Sequence, residues 1–169
     1  TLFGYAHVPW MFSHMKLIKD DDLPNAEERL ILFDEALRRL NAAGYIHIGL
    51  DHFSKAGSEM DAAQQEGRLH RNFQGYTTDT AKTLLAFGAS AISTLPGGFV
   101  QNKSAARDYM KAINDGALAT ARGVGLNNDD RLRSDIIERL MCNFHVDLEA
   151  VCDQYGVRVQ DLAGDMDKL

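Results

Sequence analysis

Basic residues, cysteines and long apolar runs are all scarce in this chain, and each shortage closes off a class of function. Lysine and arginine number 18 against 24 aspartates and glutamates, for a net charge of −6, and no Lys/Arg block occurs. Phosphate recognition needs clustered cations, so nucleic acid is not expected as the main partner. The only cysteines are Cys142 and Cys152, ten residues apart and outside any CxxC pairing. They read as free thiols of a reducing compartment, with no iron–sulfur or zinc role of their own. No apolar run approaches a membrane span and no signal peptide opens the chain, so a cytoplasmic protein without membrane contact is expected. Repeats and low-complexity linkers are also missing. The chain opens on Thr1 and enters an apolar stretch at once. A strand as first element, with no partner before it, suggests a segment upstream.

What is present fits an ordinary globular chain: of 169 residues, 45% are hydrophobic and 25% charged, enough to bury a core without staples. Leu2 to Val8 has strand character and stops at Pro9. Apolar Leu30, Phe33, Leu37 and Leu40 lie at helical spacing between Ala26 and Ala43 and predict one buried face, with Gly44 as a stop. A short strand from Tyr45 to Leu50 follows, so that strand, helix and strand predict a parallel βαβ unit. Further helices are predicted at Ser58 to Gly67, Thr80 to Phe87 (capped by Asp79), Lys103 to Ile113 and Asp129 to Cys142. Strands are predicted at Ala89 to Ser93 and Ala121 to Leu126, the first ending in the turn Pro96-Gly97-Gly98. The tail from Asn143 reads as helical in its first half and loop-like after Gly156. The pattern is α/β, that of a barrel or open parallel sheet over residues 1–126 with a helical appendage over residues 127–169.

In parallel α/β folds the strand C-terminal ends carry the active site. Two such ends are polar here, Tyr5-Ala6-His7-Val8-Pro9 and Asp51-His52-Phe53, while Ala91-Ile92-Ser93 is apolar and small. His7, Asp51 and His52 are of metal-ligand type, but no His-x-His pair accompanies them and no metal site is expected. The segment from His70 to Thr78 is richer. Arg71 offers a fork of donors suited to a carboxylate, and Phe73 and Tyr76 offer flat faces for a ring system. Gln74 can donate and accept, and Gly75 permits a tight turn. A polar surface loop with one aromatic anchor fits the same composition. The charged residues of the last long helix (Arg131, Arg133 and Arg139 with Asp129, Asp130, Asp135 and Glu138) read as a solvated face.

Three strings together go further: Tyr5-Ala6-His7-Val8-Pro9, Gly49-Leu50-Asp51-His52-Phe53 and His70-Arg71-Asn72-Phe73-Gln74-Gly75-Tyr76-Thr77-Thr78. With Ser90-Ala91-Ile92-Ser93, Gln101-Asn102 and Arg122-Gly123, they resemble the oxygen-independent coproporphyrinogen III oxidases of the radical S-adenosylmethionine superfamily, down to about Asp147. One departure lies after Ser93, where Thr94-Leu95-Pro96-Gly97-Gly98-Phe99 replaces an expected Gly-Asp pair and tyrosine. The resemblance implies the later part of an open (β/α) barrel and the start of a mainly helical C-terminal domain. It also implies a [4Fe–4S] cluster held by a CxxxCxxC motif that this chain lacks, so the piece alone should be inactive. The implied reaction is oxidative decarboxylation of two propionates of coproporphyrinogen III to vinyls, giving protoporphyrinogen IX for haem synthesis, with S-adenosylmethionine and an electron donor as partners. By the same resemblance Ala6 and Ile92 would contact S-adenosylmethionine, and Phe73 and Gln74 would lie near the reaction. Arg71 as a receiver of a substrate carboxylate is an inference from its chemistry. A tetrapyrrole-binding or haem-trafficking relative on the same barrel is the alternative, and the loop around Phe73 sides with the oxidase.

Overall fold

The computed structural model describes residues 1–162, and the chain divides into two compact units, Thr1–Leu69 and His70–Leu169. The expected boundary between residues 126 and 127 falls inside the second.

In the first unit the opening stretch forms no named strand; the Leu2 amide donates to the Asp51 carbonyl at 2.8 Å. Short 3-10 turns cover Ser13–Leu17 and Asp20–Asp22. Helix α1 (Ala26–Ala42) starts where Asn25 and Glu28 close a reciprocal capping box, which satisfies two of the amides that a helix start leaves open. The chain leaves α1 through Gly44, at φ 79°. Strands β1 (Tyr45–Ile48) and β2 (His52–Lys55) then pair antiparallel, with Ile48 opposite His52. Helix α2 (Glu59–Gln65), capped by Ser58, packs on this hairpin. Gln64 ties it down, accepting from the Gly49 amide at 2.8 Å and donating to the His47 carbonyl at 3.0 Å.

Two further expectations fail in this unit. The second strand of the supposed parallel crossover turns back at once, because Gly49 takes φ 57° and the loop that follows is short enough for a hairpin. The predicted buried face of α1 is only half covered: Phe33, Leu37 and Leu40 are partly shielded, while Leu30 remains 61% exposed. The sheet beside α1 is a single thin hairpin, too narrow to cover four helical turns.

The second unit opens with hairpin β3 (His70–Asn72) and β4 (Gly75–Thr77). A second sheet follows, β5 (Ile92–Leu95), β6 (Gly98–Asn102) and β7 (Thr120–Gly125), all antiparallel, with helix α3 (Ala106–Asn114) between the last two. The described residues from 128 onward hold three helical elements: α4 (Asn128–Asn143), α5 (Leu148–Tyr155) and a 3-10 turn at Val159–Leu162. That turn lies where a loop is predicted, and the rest of the predicted tail lies outside the described residues. Asn127 caps α4 with a capping box shared with Asp130. The core here joins Leu132, Val151, Cys152 and Leu162, with Ile136, Val146 and Tyr155 around them.

The helix predicted at Thr80 to Phe87 does not form. Leu84 bridges Thr94, and the Asn102 side-chain amide donates to the Ala86 and Gly88 carbonyls at 3.3 and 3.1 Å. The Ala86 amide donates to Ser93 Oγ at 3.0 Å. These partners take the backbone groups that a helix would use internally. The α/β mixture therefore holds, but no strand pair among the described residues is parallel, where a barrel portion was expected to be. Nor is any helix among them long and apolar enough to cross a membrane.

Candidate functional site

The richest concentration of candidate residues is the β3–β4 hairpin. Its turn is Phe73-Gln74, closed by Gly75 at φ 133° and by the Gln74 amide donating to Asn72 Oδ1 at 2.8 Å. Glycine is needed there because few side chains tolerate that φ. Such a turn throws Phe73 outward: it is 54% exposed and meets Phe99 edge to face, ring centres 5.0 Å apart. Gln74 is exposed too.

The base of the hairpin is fastened to α4 from both faces. Tyr76 is buried and its hydroxyl donates to the Met141 carbonyl at 2.8 Å. Glu138 Oε1 lies 3.0 Å from His70 Nδ1 and accepts the Arg71 amide at 3.3 Å. Arg71 sits across the ladder from Tyr76, and its guanidinium lies over that ring at 5.1 Å, a cation–π contact that orients the charge without neutralising it. Among the described residues no carboxylate pairs with the Arg71 guanidinium.

Two cavities adjoin the Phe73–Phe99 pair. The larger, of about 490 Å³, is lined by His70, Arg71, Lys82, Ser134 and Glu138 besides the two phenylalanines. The smaller, of about 260 Å³, is lined by Phe73, Ile92, Phe99, Gln101, Arg122 and Val124 among others. Phe73, Arg71 and Ile92 are thus gathered around one aromatic pair, while Gln74 lines neither cavity. Ala6 belongs to the first unit, where it is exposed beside His7; His7 lies 3.2 Å from the Tyr5 hydroxyl and 3.4 Å from Asp20. Asp51 and His52 pair with each other at 2.7 Å. Among the described residues no three His, Cys, Asp or Glu side chains gather as metal ligands would.

The solvated-face reading of α4 holds for the exposed pair Arg133–Asp129 and in part for the half-buried pair Arg139–Asp135, each at 2.7 Å. It fails for Glu138, which serves the hairpin, and for Arg131, which donates to the Pro96 carbonyl at 2.9 Å. Their spacing with Ser134 (three, then four residues) marks one helical stripe, and that was the legible signal.

Cys142 lies beneath this stripe. Burial pushes its thiol up to about 11, the nearby Glu138 carboxylate adds to the effect, and Arg71 opposes it. The neutral form is the one favoured by folding. An unfolded cysteine releases its proton near pH 9 while the folded one holds it to about 11, so stability should fall as pH rises through that window. The full effect is about 3 kcal/mol at most. Denaturant midpoints at pH 8 and pH 11 should therefore differ, and Cys142→Ala should remove most of the difference; an equal pH slope in the variant would assign it to other groups.

The resemblance read from the sequence is borne out by comparison. A relative from Bradyrhizobium diazoefficiens, named oxygen-independent coproporphyrinogen III oxidase, is 46% identical over 100% of this chain and 38% of its own length. One of the same name from Salmonella typhimurium is 43% identical over 93% of this chain and 34% of its own. The solved structure of the coproporphyrinogen III oxidase of Escherichia coli, described as a radical SAM enzyme, superposes with a TM-score of 0.84 at 39% identity, covering 96% of this chain and 38% of that one. This chain thus spans a little over a third of the length of the curated relatives it matches. No family model matches it.

Proposed function

We propose that this chain, homologous along its length to a part of the oxygen-independent coproporphyrinogen III oxidases, forms part of the site wall in a cytoplasmic radical SAM enzyme. In the intact protein residues 1–126 would form the later part of an open (β/α) barrel, with the region from residue 127 as the start of the mainly helical domain that follows. The reaction is oxidative decarboxylation of two propionates of coproporphyrinogen III, giving protoporphyrinogen IX. The observation that carries this reading is the clustering of Phe73, Ile92 and Arg71 around two cavities that share one aromatic pair.

The chain's own residues do not fit the cluster: both cysteines are buried and the Cys142 thiol is held protonated. Its ligands therefore belong to residues outside this chain. The apolar wall of the smaller cavity does fit an adenine or sugar face, with Ile92 as the branched contact; Ala6, a small exposed residue of the first unit, is a separate candidate contact for S-adenosylmethionine. When bound, S-adenosylmethionine would supply the hydrogen-abstracting chemistry, and Ile92 would be this chain's wall contact to it. Phe73 offers the reacting group a flat apolar side and Gln74 an amide. Arg71, preset over Tyr76, receives a substrate carboxylate through its fork of donors.

The intact protein, assembled with its cluster and given S-adenosylmethionine and an electron donor, should convert coproporphyrinogen III to protoporphyrinogen IX. Binding of the tetrapyrrole without turnover would point instead to a haem-trafficking protein. Arg71→Leu should raise the substrate concentration for half-maximal rate about tenfold, since a hydrogen bond to a charged group contributes roughly 1.5–3 kcal/mol. An unchanged value would remove Arg71 from the substrate contacts.

A further inference from the structure

Two short strings of the sequence, Gln101-Asn102 and Arg122-Gly123, meet in the structure. Gln101 and Arg122 are cross-strand partners on β6 and β7. Arg122 Nε donates to Gln101 Oε1 at 2.7 Å, and Gln101 Nε2 donates to the Ser90 carbonyl at 2.9 Å. The amide is thereby fixed at both ends, and it fixes the plane of the guanidinium. Both residues line the smaller cavity with Phe73, Ile92 and Phe99.

The choice of partner is informative. A glutamate at position 101 would orient Arg122 equally well and cancel its charge. Glutamine orients it and leaves the charge in place, with both terminal amines uncommitted. Among the described residues no carboxylate lies within ion-pairing distance of Arg122. A full positive charge held in a fixed plane at an apolar groove, with two parallel donors available, matches a bidentate carboxylate. A purely structural arginine would instead be expected to spend those donors on carbonyls, as Arg131 does on Pro96 and Leu126.

We propose that Arg122, positioned by Gln101, receives a carboxylate of the ligand that packs on Phe73 and Ile92. This rests on the reading of that groove as a ligand site given above. Arg71 serves the larger cavity, so the aromatic pair has a separate carboxylate receiver in each cavity it lines. The carboxylate has two possible sources: a propionate of the tetrapyrrole, or the amino-acid end of S-adenosylmethionine.

Equilibrium binding separates them without requiring turnover. In the intact protein the dissociation constants of coproporphyrin III (the fluorescent, oxidised form of the substrate) and of S-adenosylmethionine are measured for wild type, Arg122→Leu and Gln101→Glu. Both variants should weaken one of the two ligands about tenfold and leave the other within twofold, and the ligand that responds is the source. Gln101→Glu keeps the arginine and occupies it internally, so it decides the matter if Arg122→Leu fails to fold. Both constants within twofold of wild type in each folded variant would overturn the assignment of Arg122 while leaving the functional reading intact. A wild-type protein that binds neither probe would overturn the functional reading and this inference with it.

Discussion

Gly98→Ala is expected to destabilise the second unit by about 3 kcal/mol or more and to dismantle the β6–β7 edge. Gly98 sits at φ 154°, and a Cβ added there would stand 2.0 Å from the Val124 carbonyl oxygen and 3.0 Å from the Gly125 Cα. The atoms in the way are backbone, so no rotamer change relieves the clash. Either β6 loses its pairing with β7 or the turn after Leu95 rebuilds. Gly97 is the control: an added Cβ meets nothing within 4 Å there and its φ is not positive. Gly97→Ala should therefore stay within about 0.5 kcal/mol of wild type. Amide exchange of Phe99 to Asn102 would read the difference locally, and equal protection in the two variants would refute the steric account. Because β6 carries Phe99 and Gln101, Gly98→Ala should also lower affinity for whatever occupies the smaller cavity.

Leu132→Ala should cost about 2–5 kcal/mol, the range for emptying a core leucine site. Leu132 is 1% exposed and packs with Val151, Cys152 and Leu162. These residues bring α4, α5 and the following 3-10 turn together, so the loss should show as faster amide exchange across all three. Ile137, on the same helix but 58% exposed, gives the contrast: Ile137→Ala should change stability by about 0.5 kcal/mol or less. Similar losses for the two would mean that the α4–α5 core is not where the stability of this region resides.

Helices α1, α2, α3 and α4 were legible because their signals are local: Ser58 at a start, Gly44 at a stop, apolar spacing between. The strands were legible one by one, but not their pairing. A run such as Tyr45-Ile46-His47-Ile48 looks the same in a parallel and an antiparallel sheet, and the reading of Leu2 to Val8 as a strand supplied a partner that does not form. Thr80 to Phe87 has helical composition, yet tertiary bonds from Asn102 and Ser93 hold its backbone extended. Of the candidate site, Arg71, Phe73 and Ile92 were singled out from their chemistry and the resemblance. Gln101 and Arg122 lie 21 residues apart, and nothing in their spacing announces that they touch.

The pairing of each strand with its neighbour in the chain also has a kinetic consequence. The hairpins β1–β2, β3–β4 and β5–β6 each close over a short loop, at small entropic expense. Mostly local pairing of this kind goes with early, fast formation. The clasp between His70 and Glu138 is different, because it closes across 68 residues. It must wait until α4 exists, so the cavity that holds Arg71 is completed late in folding, after the hairpin that carries Arg71 has already formed.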